Sequence, residues 1–171
     1  MFSRSGPLGN RNSLYNRHMQ IRLAMMDDKK SVLRLLDELG EEVNRIMGYS
    51  PHNAEAQKVG GRVFEEIISR KDTLIFVAEE NKELIGLITL YLLPNMRHGW
   101  HRGHVEDFVV SEKKRGKGIG TQLFDAVKQY CRENNIKVTK LDSGIDLTNA
   151  HRFYEKNGGK FTEKMFRFDI K

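Results

Sequence analysis

Apolar positions along this chain alternate with polar ones in some stretches and recur every three or four residues in others, and the two periods divide it into elements. Gln20-Ile21-Arg22-Leu23 alternates and predicts a short half-buried strand. Asp27 or Asp28 can cap a following helix whose apolar face is Val32, Leu33, Leu35, Leu36 and Leu39, with Gly40 placed to end it. Asn53 can cap a second helix, with Val59, Val63, Phe64, Ile67 and Ile68 on one side. Thr73 to Ala78 and Leu84 to Leu93 are β-branched and aromatic runs joined by Asn81-Lys82, a hairpin that should stop at Pro94.

Asn95 to Arg102 then reads as a loop, and His104 to Val110 resumes the extended pattern. Gly118 to Asn134 predicts a helix burying Ile119, Leu123, Phe124, Val127 and Tyr130, with Lys128, Arg132 and Glu133 turned outward. Lys137 to Ser143 alternates, Thr148 to Asn157 is a short helix stopped by Gly158-Gly159, and Lys160 to Ile170 carries a final alternating strand. The order β-α-α-β-β-β-α-β-α-β predicts an α/β (α+β) domain, and the strand-helix-strand succession from His104 to Ser143 implies a parallel crossover inside a mixed sheet.

Residues 1–18 are rich in Ser, Gly, Asn and Arg without periodicity. They read as a flexible tail or an appended leader, which leaves 19–171 as one domain. The chain's 171 residues suit a single core, and 39% hydrophobic with 30% charged residues suits a soluble globular protein. No apolar run approaches the roughly 20 residues of a membrane span, and no secretory apolar core is present, so a cytoplasmic protein with no membrane partner is expected. The single cysteine, Cys131, excludes an internal disulfide and reads as a small core residue within the third helix.

A net charge of +6 favours anionic partners, but the basic residues are scattered with no recognised nucleic-acid motif, so a nucleic-acid partner is not expected. His98, His101 and His104 have arginines for neighbours, and no metal site is expected from them. Arg97, His98, His101 and Arg102 instead suit a loop that receives an acceptor carrying phosphate, phosphonate or carboxylate.

The most informative stretch runs from Val109 to Thr121, where a strand enters a helix through the basic turn Arg115-Gly116-Lys117-Gly118-Ile119-Gly120. Glycines let backbone approach a ligand closely, and a helix start offers unpaired N–H groups and partial positive charge. An anion site is one reading of it; a solvated loop is the other. Glycines at 116, 118 and 120 fit neither the phosphate-loop motif nor the dinucleotide fingerprint, and no acidic ribose contact follows near Ile136 to Val138.

Arg115 to Gly120 does match the Gln/Arg-x-x-Gly-x-Gly/Ala signature of the GCN5-related N-acetyltransferase (GNAT) superfamily, and the chain resembles that superfamily also through Val105 to Val110 and Asn149 to Gly158. The resemblance implies a mixed, mostly antiparallel twisted sheet flanked by helices, with acetyl-coenzyme A as co-substrate. By it, Phe108, Val109 and Val110 pair with the pantetheine arm, while Arg115, Gly116, Lys117, Gly118, Ile119, Gly120 and Thr121 hold the pyrophosphate. It also allows a homodimer, since the family's splayed strands often pair.

An amine acceptor is an ammonium near neutral pH and must lose a proton before attack, which a carboxylate can take. Glu106 and Asp107 are adjacent on a strand and should point to opposite faces, with Glu106 narrowly favoured as the base. Tyr154 occupies the family's position for the acid that protonates the leaving thiolate; on spacing alone it reads as core. A backbone N–H of the Phe108 to Val110 strand would stabilise the oxyanion, and transfer would be direct, within a ternary complex.

Many relatives carry a coenzyme-contacting Asn at the position of Leu147, so Asn149 either replaces it or caps the last helix. Lys156 reads as a contact for the coenzyme's 3′-phosphate or as an ordinary surface lysine. The expected acceptor is a primary amine on a small, anionic metabolite. Acetylation of a protein amino terminus or lysine, and a non-catalytic coenzyme A-binding regulatory module, are the competing readings.

Overall fold

In the computed structural model, residues 19–48 and 54–170 are described; the proposed tail and the Asn53 cap lie outside them. The elements are strand β1 (Met19–Leu23), helices α1 (Lys29–Met47) and α2 (Ala54–Ile68), strands β2 (Thr73–Glu80), β3 (Glu83–Asn95) and β4 (Trp100–Val110), helix α3 (Ile119–Glu133), strand β5 (Thr139–Leu141) and helix α4 (Thr148–Lys156). The strands form one five-stranded sheet in chain order, antiparallel throughout except for the parallel β4–β5 pair. Among the described residues, no helix is long and apolar enough to cross a membrane.

Two cores form because the central strands are apolar on both faces. On one face Phe76, Ile88, Leu90 and Val105 pack with Leu123, Val127 and Tyr130 of α3. On the other Ile75, Val77, Leu87 and Val109 pack with Val32 and Leu35 of α1 and Phe64 of α2. Cys131 is buried in the α3 core, with its Sγ 3.4 Å from the Thr139 hydroxyl. At the β1–α1 junction Asp28 takes two hydrogen bonds from Arg22, at 2.6 and 2.8 Å, and one from the Met25 N–H at 2.7 Å. Arg22 and that N–H hold the Asp28 carboxyl below the ordinary carboxylate range despite its burial.

Several expectations fail for identifiable reasons. Gly40 does not end α1, which continues until Gly48 terminates it in the left-handed region at φ 70°. An interior glycine costs a helix only about 1 kcal/mol, and the apolar series Leu39, Val43, Ile46 beyond it outweighs that. Pro94 does not stop β3, which tolerates it one residue from its end, and the predicted loop shrinks to a turn at Met96–Gly99. Val59 and Val63 of α2 are exposed, and Phe124 is half-buried. Residues 160–170 add no strand to the sheet: Phe161, Met165, Phe166, Phe168 and Ile170 are all exposed.

Candidate active site

The site begins where the sheet splits. β4 and β5 share the register pairs Gly103–Thr139, His104–Lys140 and Val105–Leu141, after which β4 runs on to Val110 with no strand of the described residues beside it on that edge. A cleft of about 470 Å³ opens there, walled by Phe108, Val109 and Val110 on one side and by Leu147 to Ala150, Phe153 and Tyr154 on the other. Its floor is Lys114, Arg115, Gly116 and Gly118 to Thr121.

Gly116 and Gly118 both adopt φ 77°, and Gly118 is the N-cap of α3 without a side-chain capping bond. An L side chain is strained at that φ, so glycine here is a backbone requirement. Gly120 differs: a Cβ there would stand 3.3 Å from Phe153 and 3.4 Å from Phe108, so its bareness lets α4 pack closely. The N–H groups of the first α3 turn have no intrahelical acceptors and face the cleft floor with the positive end of the helix dipole. That donor set fits a diphosphate.

Arg115 does not present an unoccupied cation. Its Nη1 lies 2.7 Å from Glu42 Oε1, Nη2 binds the other carboxylate oxygen, and Nε donates to the Val110 carbonyl at 2.9 Å. Arg115 in turn holds the Glu42 carboxyl below its ordinary range. Glu42, Leu39, Val43 and Ile46 bring the C-terminal half of α1 into the cleft wall, a contribution the Gly40 stop hid from the sequence reading. Lys117 is not among the lining residues, whereas Lys156 and Asn149 are. Asn149 sits inside the first turn of α4, whose N-cap is Leu147, so it does not cap the helix; its Oδ1 accepts from Arg152 at 2.6 Å.

Tyr154 is fixed by an aromatic cluster. Phe108 lies 5.3 Å from Phe153 and 6.5 Å from Tyr154 between centroids, and Phe153 meets Tyr154 edge-on at 5.8 Å. Burial pushes the Tyr154 phenol up from its ordinary value, so it keeps its proton across the neutral range.

The β3–β4 register slips at Glu106 and Asp107, between Ile88–Phe108 and Leu90–Val105. Both acids therefore stand opposite Thr89 alone, a β-bulge. Asp107 accepts from the Thr89 hydroxyl at 3.3 Å, and burial, reinforced by the charge of Glu106, pushes its carboxyl up. Glu106 is exposed and its Oε2 lies 3.1 Å from His104 Nε2. Both charges raise the Tyr91 phenol further, after burial. Neither acid lines the cleft, but Val109, two residues along β4 from Asp107, does. Arg97, His98, His101 and Arg102 cluster at the far end of β4 and line none of it.

This combination of a split parallel pair, a glycine-rich helix start and a tyrosine on the facing helix agrees with what matches the chain. The acetyltransferase (GNAT) family matches residues 35–159. The chain belongs to this family. It is 33% identical over 92 residues to the aminoalkylphosphonate N-acetyltransferase of Salmonella typhimurium, a match covering 54% of this chain and 58% of that protein. It is 27% identical over 144 residues to the glucosamine 6-phosphate N-acetyltransferase of Trypanosoma brucei brucei, covering 81% and 95%. Among solved structures, a transcriptional regulator from Bacillus halodurans superposes with a TM-score of 0.76 at 25% identity, covering 90% of this chain and all of that one.

Proposed function

We propose that the protein transfers an acetyl group from acetyl-coenzyme A to the primary amine of a small, anionic metabolite. The observation that carries this reading is the cleft, in which a glycine-rich helix start at one end adjoins an unpaired strand edge and a half-buried tyrosine. Gly116 and Gly118 to Thr121 would hold the pyrophosphate by backbone N–H groups, Lys156 the 3′-phosphate, and the Phe108 to Val110 edge the pantetheine. Bound there, the coenzyme would supply an acetyl group activated as a thioester.

The chain's own residues account for the proton traffic. A carboxylate on the β4 bulge takes the proton of the ammonium acceptor, and Asp107 suits that task better than Glu106. Its raised pKa brings it closer to neutrality, whereas Glu106 is exposed and engaged by His104. Tyr154 holds a proton at its hydroxyl beside Phe108 and delivers it to the departing sulfur. The anionic character of the acceptor is supported by the phosphonate and phosphate named for the two relatives.

The test is titration calorimetry with acetyl-coenzyme A, followed by thiol-release assays over aminoalkylphosphonates, amino-sugar phosphates, polyamines and peptides with free amino termini. Binding with turnover of the anionic amines is expected. No uptake of acetyl-coenzyme A would remove the proposal, and turnover confined to peptides would redirect it to protein substrates.

A further inference from the structure

Charges are sorted along the sheet face that turns away from α3. A Cβ on Gly103 would point at Leu90 and Thr139, and Leu90 and Val105 belong to the α3 core, so Arg102 and His104 project from the opposite face. The Thr139 hydroxyl meets Cys131 of α3, which turns its neighbour Lys140 to that same opposite face, beside His104. Asp107 shares its side of β4 with Val109, which packs on α1, and Glu106 is joined to His104. A single strip therefore runs from the carboxylates of Asp107 and Glu106, past His104, to the cations of Lys140 and Arg102.

The basic end of the strip already holds an anion. Glu163, on the segment that follows α4, binds Lys140 through its carboxylate. Lys140 keeps that carboxyl below its ordinary range, and the charges of Arg102 and of Arg97, in the turn between β3 and β4, add to the effect. Cations drawn from β4, β5 and a turn thus converge on one carboxylate. A surface ion pair contributes little to stability, so this convergence exceeds what anchoring the segment requires. The Glu163 side chain is 64% exposed, within reach of an incoming anion.

We propose that Lys140, Arg102 and Arg97 form the subsite for the anionic group of the acceptor, and that Glu163 fills it until the acceptor displaces it. The inference rests on the acetyl transfer proposed above and adds the direction in which the acceptor lies: its ammonium against Asp107, its phosphonate, phosphate or carboxylate against Lys140 and Arg102. Strand geometry sets the span. Lys140 stands beside His104, and the backbone from there to Asp107 covers roughly 10 Å, a gap that both side chains shorten. The complementary acceptor is a compact molecule with its amine and its anion a few bonds apart. A polyamine would set ammonium groups against Lys140 and Arg102 and is disfavoured.

The experiment compares the full-length parent with Lys140→Gln, Arg102→Gln and Glu163→Gln on two matched acceptors, an aminoalkylphosphonate and the alkylamine of equal length that lacks the phosphonate. The parent should show the lower KM for the phosphonate. Lys140→Gln and Arg102→Gln should each raise that KM roughly tenfold relative to the KM for the alkylamine, the change falling on KM more than on kcat. Glu163→Gln should lower it several-fold, since the built-in competitor is gone. Phosphorus NMR line broadening of the same phosphonate, which needs no turnover, should weaken in the first two variants and grow in the third. A parent that binds and turns over the phosphonate while Lys140→Gln and Arg102→Gln keep its KM and line width overturns the subsite and leaves the acetyl transfer standing. A Glu163→Gln variant with an unchanged melting temperature and an unchanged or raised KM overturns the displacement. A parent that prefers the plain alkylamine removes the anionic acceptor and the subsite together.

Discussion

Arg115 and Glu42 are joined through both guanidinium Nη atoms and both carboxylate oxygens, tying the glycine-rich turn to the C-terminal half of α1. The carboxylate stays ionised, since Arg115 lowers its pKa, and it places a negative charge in a cleft proposed to receive phosphates. Glu42→Gln keeps hydrogen-bonding atoms and removes that charge. Acetyl-coenzyme A should then bind roughly three- to tenfold more tightly, with the gain shrinking as salt rises. Calorimetry at two ionic strengths checks this; weaker binding would mean that the tether outweighs the charge.

Gly118 and Gly120 should respond differently to alanine. At Gly118 nothing obstructs a Cβ, but the positive φ costs about 1–2 kcal/mol, so Gly118→Ala should lower the melting temperature by several degrees and weaken coenzyme binding together. At Gly120 the backbone is ordinary helix and the obstacle is the Phe153 ring. Gly120→Ala should therefore displace α4 and reduce turnover more than coenzyme affinity. Equal effects of the two substitutions on affinity and melting would contradict this division.

Tyr154→Phe should leave the Phe108 and Phe153 contacts in place and remove only the hydroxyl. The expected result is a fall in kcat of about 10²-fold with acetyl-coenzyme A affinity nearly unchanged. If turnover persists at the parent level, another group protonates the leaving sulfur.

Asp107 yields a prediction of opposite sign for stability and activity. Its folded-state pKa lies above the unfolded value, so its contribution to stability is intact below the unfolded value and is lost as pH rises through the folded one. Asp107→Asn removes that loss. It should raise the melting temperature at neutral pH by a few degrees, with little change in acid, while turnover collapses. Thermal melts across pH 3 to 8 alongside thiol-release assays measure both; a lower melting temperature at neutral pH would count against a destabilising charge.

The glycine-rich strand-to-helix turn was legible in the sequence because its information is local: glycines, cations and a change from period 2 to period 3.6 lie within a dozen residues. The hairpin, the α3 core positions and the burial of Cys131 were legible on the same ground. Glu42 was not, since its role depends on α1 outlasting Gly40, a contest between propensity and packing that only the folded helix decides. The β4 bulge was hidden because neither a glycine nor a proline marks it, so Glu106 and Asp107 read as an ordinary alternating pair. At 160–170 the alternation was visible but forms no strand, because period 2 alone does not supply a neighbouring strand to pair with.

Gly103 touches nothing in the cleft, yet it governs how the cleft opens. A Cβ there would stand 2.8 Å from the Thr139 hydroxyl and 3.0 Å from Leu90, so only a bare backbone lets β5 close against β4 at that point. Five residues further along, the two halves of the sheet have parted. The fold thus works as a pair of tongs whose rivet is a missing side chain, and the width of the jaws is set by an atom that evolution left out.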